Sequence, residues 1–161
     1  MYRQILSRQQ MESRGKNAVA DLFTRKLLLP KIFFDARWPS RSSVIDVLAV
    51  DRAGAGDIYA VLVRASSELL DDAVERLKVQ PAHYKYLALI SGSGNYRPQE
   101  TALYAPNGLG RIGILLLEED RQSKLSAREV LAGERFRVAP EYIKQMDKFT
   151  DRQHADVAVR F

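Results

Sequence analysis

The chain of 161 residues is 46% hydrophobic and 28% charged, a balance that indicates one globular domain with its own apolar core. It contains no cysteine, so disulfides and thiolate metal sites are excluded, and neither His83 nor His154 has a second ligand at the spacing of a zinc site. No segment has the length of a membrane span, and the first residues lack the apolar core of a signal peptide. We therefore expect a single domain over residues 1–161 that is cytoplasmic and has no membrane contact.

The net charge of +5 is unevenly distributed along the chain. Residues 1–41 hold nine Lys and Arg against three Asp and Glu, whereas the remaining residues are close to balance. A basic segment of this kind suits the phosphate backbone of a nucleic acid or another acidic partner. A solvated helix whose charges serve solubility explains the same pattern, and the sequence leaves both interpretations open.

The first predicted element is a long amphipathic helix over residues 4–28, where apolar side chains recur at helical spacing between Arg and Lys. Pro30 ends it, and a short strand follows over Lys31–Arg37. Ser43–Asp51 and Asp57–Ala65 are β-rich apolar runs with a short glycine-bearing connection, which predicts an antiparallel hairpin. Because both runs are apolar on both faces, we expect them in the centre of a sheet that is covered on two sides.

A second amphipathic helix is predicted by SELLDDAVERLKV, over Ser67–Val79, after which Pro81 stops the pattern. Tyr84–Ser91 then predicts a buried strand that returns parallel to its predecessor, with this helix as the crossover. Thr101–Tyr104 and Arg111–Leu117 have the composition of another hairpin.

The end of the chain is less regular in its pattern. Glu118–Arg121 is polar and predicts a surface loop, and Arg128–Val138 has mixed signals. Pro140–Phe149 predicts a helix with proline at its start, and Ala155–Phe161 alternates as a last strand does.

Two charged residues lie inside the predicted central strands, an aspartate in the second strand and a basic residue in the third. Asp46 lies in the run VIDVLAVD, and Arg64 ends the run YAVLVR. An isolated acid in an apolar strand is costly and requires a partner or a function. With these residues, the order αβββαβ over residues 10–117 resembles the core of the PD-(D/E)XK, or restriction-endonuclease-like, nuclease superfamily. The resemblance implies an α/β fold with a mixed central sheet flanked by helices, followed here by an extra C-terminal hairpin, helix and strand.

In that superfamily, acids on the second strand, on an acid-x-lysine triplet of the third and often on the first helix hold Mg²⁺ against the scissile phosphate. The matching positions here are Asp46, the triplet Leu62-Val63-Arg64, and Asn17, so only Asp46 keeps an acid. Leucine binds no metal, and the arginine guanidinium stays protonated and is a poor proton acceptor. The resemblance thus implies a degenerate catalytic site at Asp46 and Arg64, with Asn17 and Leu62 at acid positions and no metal expected.

Alternatives to this interpretation remain open. Glu12 takes the helix position if the register is shifted, and an acid of the second helix can replace the lost one, with Asp46 as the remaining metal ligand. The candidates on that helix are Glu68, Asp71, Asp72 and Glu75. Asp46 and Arg64 also share one face of neighbouring strands, where they can form a buried ion pair with a structural role alone.

These observations lead us to expect a non-catalytic domain of this superfamily that binds nucleic acid. The expected contact residues are Arg14, Lys16, Arg37, Arg41 and Arg64. One alternative is a nuclease with a rearranged site, which would need Mg²⁺; the non-catalytic domain needs no cofactor. The other is a protein-interaction subunit of a larger system, with strand edges that receive a protein partner.

Overall fold

The computed structural model describes residues 8–26, 31–38, 44–51, 56–65, 70–90, 111–122 and 124–144. In chain order the elements are α1 (Arg8–Arg25), β1 (Lys31–Ala36), β2 (Ile45–Val50), β3 (Ile58–Arg64), α2 (Leu70–Lys78), β4 (Tyr84–Ile90), β5 (Gly113–Glu119) and β6 (Leu125–Leu131). Residues 140–144 are also helical, at the start of the helix predicted from Pro140. The predicted strands Thr101–Tyr104 and Ala155–Phe161 lie outside the described residues.

The six strands form one mixed sheet in the order β1-β2-β3-β4-β5-β6. β2 is antiparallel to both of its neighbours, β1 and β3, whereas β4 and β5 add in parallel and β6 returns antiparallel to β5. The predicted hairpin of β2 with β3 and the parallel crossover through α2 to β4 are therefore confirmed. In the described chain, β5 forms its hairpin with β6, in a stretch where the sequence pattern predicts a loop and mixed structure.

The two long helices cover opposite faces of the sheet. Gly15 of α1 lies against Val63 of β3, whereas the neighbouring residue Leu62 packs in an apolar cluster with Ala73 and Leu77 of α2. Because side chains alternate along a strand, consecutive residues of β3 face different helices. The result is an α/β fold with a six-stranded mixed sheet flanked by helices. Neither described helix has the length and apolar character needed to cross a bilayer.

One edge of the sheet gathers the ends of several strands. Since β1, β3, β4 and β5 run in the same direction, their C-terminal ends lie side by side, together with the starts of β2 and β6. We call this edge the carboxyl edge and the opposite one the amino edge. In open α/β sheets, ligands bind preferentially outside the carboxyl ends of the parallel strands, so a binding site is expected at this edge.

The close approach of α1 to the sheet depends on Gly15. A Cβ atom built there would lie 2.7 Å from Val63 Cγ1, 2.9 Å from Leu117 Cδ1 and 3.3 Å from Ile90 Cδ1. These three side chains come from β3, β5 and β4, so the helix rests on the middle of the sheet. Glycine in a helix interior lowers helix stability by about 1 kcal/mol relative to alanine. Here the missing side chain is what permits the close contact.

Gly15→Ala is expected to lower the free energy of unfolding by about 1–2 kcal/mol, because overpacking against a branched valine outweighs the gain in helix propensity. Urea unfolding followed by circular dichroism measures the change. Ser13→Ala, on the exposed side of the same helix, is the matched control and should be neutral or slightly stabilising. A Gly15→Ala protein as stable as Ser13→Ala would contradict the close packing.

Candidate functional site

Asp46 and Arg64 form an ion pair at the carboxyl edge. Arg64 Nη1 lies 3.0 Å from Asp46 Oδ2, and their side chains are only 13% and 15% exposed. The same carboxylate oxygen accepts a hydrogen bond of 2.8 Å from the backbone N–H of Val63. Arg64 Nη1 also donates to the Val63 carbonyl at 2.8 Å. The carboxylate is therefore held by two donors, and the guanidinium is fixed by two acceptors.

The backbone explains why a hydrogen-bond acceptor is needed at this point. The pairing of β2 with β3 ends at Val47 and Val61, and beyond these residues β2 continues beside β1, and β3 beside β4. The two central strands thus part as they reach the carboxyl edge. Asp46 bridges the gap, because its side chain accepts the N–H of Val63 where no strand partner of β2 does so. An unsatisfied N–H at this depth would cost about 1–3 kcal/mol.

The other two positions of the expected catalytic motif, Leu62 and Asn17, lie on opposite faces of the sheet. Leu62 is on the same face as Asp46 and Arg64 and is buried under α2. Asn17 is exposed on α1, the helix that covers the other face, and Glu12 lies on the same helix. The structure therefore brings Asp46, Leu62 and Arg64 together and places the α1 positions across the sheet from them.

The acids of α2 take part in exposed pairs within their own helix. Asp72 pairs with Arg76 at 3.1 Å, and Glu75 pairs with Lys78 at 3.2 Å. Glu68 and the side chain of Asp71 lie outside the described residues. In the part of the chain that the structure describes, no three His, Asp or Glu side chains are grouped so that they could share a metal ion.

Arg14 and Lys16, the residues of α1 that are predicted to contact nucleic acid, form ion pairs at the carboxyl edge. Arg14 lies 3.3 Å from Glu119 at the end of β5, and Lys16 lies 2.7 Å from Asp35 near the end of β1. Asp35 adopts a left-handed backbone conformation with a φ of 52°, which aspartate tolerates better than most residues. The basic excess of the first 41 residues is thus partly matched by acids that are distant in sequence.

Three exposed cations at this edge have no carboxylate partner among the described residues. Arg37 follows β1, and Arg121 and Lys124 lie in the turn between β5 and β6. The sequence pattern singled out Arg37 but not the other two, because Arg121 and Lys124 belong to a segment with balanced charge. Their position becomes evident only when the turn folds beside α1. Arg41 lies outside the described residues.

A second polar cluster, at the amino edge, surrounds a buried histidine. His83 is 3% exposed, and its Nδ1 accepts the backbone N–H of Ile58 at 2.9 Å. Its Nε2 lies 3.9 Å from Asp57 Oδ1, and the same oxygen lies 3.0 Å from Arg135 Nη2. Burial lowers the pKa of His83; the carboxylate of Asp57 opposes this, and the guanidinium of Arg135 adds to it. The hydrogen bond to Nδ1 fixes the neutral tautomer with its proton on Nε2.

Asp46→Ala and Arg64→Ala are each expected to lower the free energy of unfolding by about 2–4 kcal/mol, since each leaves a shielded charge without its partner. The double variant should lose less than the sum of the two, with a coupling energy of about 1–3 kcal/mol in urea unfolding. The exposed pair Asp72 and Arg76 provides the control cycle, with a coupling of at most about 0.5 kcal/mol. Equal coupling in the two cycles would contradict a structural role for the buried pair.

His83 is expected to make the domain less stable in mild acid. Its pKa in the folded protein lies below the usual 6.5, so the unfolded chain binds the proton more readily. The stability is therefore fully present above pH 6.5 and falls as the pH decreases through the lowered pKa. His83→Asn keeps an acceptor for the Ile58 N–H and should flatten this dependence, measured as urea midpoints across the range. An unchanged dependence in His83→Asn would assign the effect to other groups.

No family model and no curated protein matches this chain. Among solved structures, the chain is similar to a protein of unknown function from Silicibacter pomeroyi, with a TM-score of 0.60 and 17% sequence identity. The similarity covers 98% of this chain and 90% of that chain. At this identity the match shows a shared fold, which extends over nearly the whole of both proteins.

Proposed function

We propose that this protein is a non-catalytic domain of the restriction-endonuclease-like, or PD-(D/E)XK, type that binds nucleic acid along the carboxyl edge of its sheet. The observation that carries the proposal is the convergence of cations at this edge. Arg37 and Arg64 come from the ends of β1 and β3, Arg121 and Lys124 from the turn after β5, and Arg14 reaches the same edge from α1. Several cations along one edge form an electrostatic footprint for a phosphate backbone.

The ion pairs at this edge are compatible with phosphate binding. The side chains of Arg14 and Glu119 are 34% and 38% exposed, and exposed pairs of this kind contribute at most about 1 kcal/mol. A phosphate can therefore take the place of Glu119 at little cost. Arg64 is different, because its guanidinium is shielded and held by Asp46 and a backbone carbonyl. We therefore assign the contact with phosphate to the exposed cations. Arg64 instead holds the Asp46 carboxylate in position at the ends of β2 and β3.

The absence of catalysis is inferred from what the residues of the expected motif do. The Asp46 carboxylate already accepts hydrogen bonds from Val63 and Arg64, and Leu62 is apolar and buried where the superfamily has an acid. The helix-three-strand-helix-strand order, with a parallel return of β4 beside β3, supports the assignment to this superfamily. Removing the acids while keeping a basic edge leaves the capacity to bind a phosphodiester.

The protein is expected to bind short DNA and RNA at low ionic strength, with an affinity that falls steeply as salt is added. Arg37→Gln should weaken binding and reduce the slope of log K against log salt by about 0.9 on duplex DNA, the change for one phosphate contact. Arg137→Gln is the matched control, because Arg137 is exposed and follows Phe136, whose N–H donates to His83 at the amino edge. Fluorescence anisotropy titrations at several salt concentrations measure both effects.

Lack of binding at the lowest salt would refute the proposal, and equal losses in Arg37→Gln and Arg137→Gln would refute the assignment to the carboxyl edge. Incubation of plasmid and single-stranded DNA with Mg²⁺ or Mn²⁺ tests the non-catalytic part. Cleavage that disappears in an Asp46→Ala protein that circular dichroism shows to be folded would show that the site is active after all.

A further inference from the structure

A groove of mixed polar and apolar character lies between α1 and the start of β6. Its volume is about 630 Å³, within the size range of sites for small ligands. The wall formed by α1 presents Ser13, Asn17 and Asp21 at successive turns, beside Arg14. The opposite wall is formed by Lys124 and Leu125. The groove therefore combines two cations with a hydroxyl, an amide and a carboxylate in one concave surface.

The wall that carries Lys124 is held in place by the turn between β5 and β6. One carboxylate oxygen of Asp120 accepts the backbone N–H groups of Gln122 at 2.8 Å and Lys124 at 2.9 Å. The backbone N–H of Asp120 donates to the Lys124 carbonyl at 2.9 Å. Asp120 thus uses its carboxylate inside the turn and positions Lys124 at the mouth of the groove. A fixed turn reduces the ordering cost of binding a ligand there.

We infer that this groove binds one nucleotide of a single-stranded nucleic acid. Its phosphate lies between Arg14 and Lys124, and the edge of its base faces Asn17 and Asp21. This inference rests on the proposed function and specifies the form of nucleic acid that is recognised.

The chemistry of the groove distinguishes a single strand from a duplex. Arg14 and Lys124 match a phosphate, but the carboxylate of Asp21 repels one and instead accepts hydrogen bonds from amino or imino groups of a base. Asp21 is 41% exposed, and its pair with Arg25 along the helix is weak. In a duplex the pairing edges of the bases are occupied, and a concave surface cannot enter a groove of the double helix. In a single strand the same edges are free.

The test compares a short labelled single strand with the matching duplex in anisotropy titrations at low salt. Asn17→Leu fills the groove from an exposed helical position, and Lys124→Gln removes one of its cations. Asn17→Leu should weaken single-strand binding by about tenfold, the effect of one or two lost hydrogen bonds, and leave duplex binding nearly unchanged. Lys124→Gln should weaken the binding of both forms, because Lys124 is also one of the exposed cations of the carboxyl edge. Lys124→Gln should also reduce the salt slope by about 0.7, the change for one phosphate of a single strand.

Arg128→Gln is the matched control for charge. Arg128 lies on β6 opposite Leu116 and pairs with Glu118 at 2.7 Å, on the sheet face away from α1. Circular dichroism and thermal unfolding establish that Asn17→Leu is folded, and Lys124→Gln changes an exposed side chain outside the core.

The outcomes separate this inference from the proposed function. If the unmodified protein binds neither the single strand nor the duplex, the proposed function fails, and the groove assignment fails with it. If it binds nucleic acid but Asn17→Leu and Lys124→Gln bind single strands no more weakly than Arg128→Gln, the groove inference is wrong and the proposed function stands. Equal losses on single strand and duplex in Asn17→Leu would also overturn the preference for a single strand.

Discussion

The carboxylate of Asp46 holds together the place where the two central strands separate. Past Val47 and Val61, β2 and β3 follow different neighbours, and only side chains can bridge the gap between them. Asp46 does so by accepting the N–H of Val63 and the guanidinium of Arg64. Hydrogen bonds to a charged group stabilise a fold by about 1.5–3 kcal/mol each, more than the backbone bond that they replace. An acid in an apolar strand therefore has a structural reason to be there.

The same separation of strands shapes the surface at the carboxyl edge. The cations that lie there come from α1, from the end of β1 and from the turn after β5, and acids of β1 and β5 are interspersed among them. The result is a mixed surface with exposed cations at its margin rather than a uniformly basic helix. Under the proposed function, a phosphate that binds Arg14 or Lys16 must compete with a carboxylate already present, whereas the exposed cations at the margin carry no such competitor among the described residues.

The central part of the fold follows from the sequence, and the margins do not. The runs that form β2, β3 and β4 are apolar on both faces, so a buried position dominates their structure, and the alternation also placed Asp46 beside Arg64. β6 is different, because its residues LSAREVL are half exposed and acquire strand structure through pairing with β5 and packing under α1.

The sequence predicted the part of the candidate site that comes from adjacent strands, the pair Asp46 and Arg64, but not the part that comes from α1. Contacts with three strands at Gly15 set the orientation of α1, and no local pattern predicts which face of the sheet the helix covers. The sequence therefore could not predict that Asn17 lies across the sheet from Asp46. The partners of Arg14 and Lys16 are likewise 105 and 19 residues away in sequence. Electrostatic matching over such distances is a property of the tertiary structure.

The backbone of Asp35 has a consequence for how copies of this protein behave at high concentration. β1 is the first strand of the sheet and has one side without a strand partner among the described elements. A flat edge of this kind is a template on which another chain can add a strand and start aggregation. The left-handed residue near its end breaks the regular strand conformation, and its half-exposed carboxylate forms a polar ion pair with Lys16 there. The distortion therefore discourages edge-to-edge polymerisation, at a place where the fold would otherwise invite it.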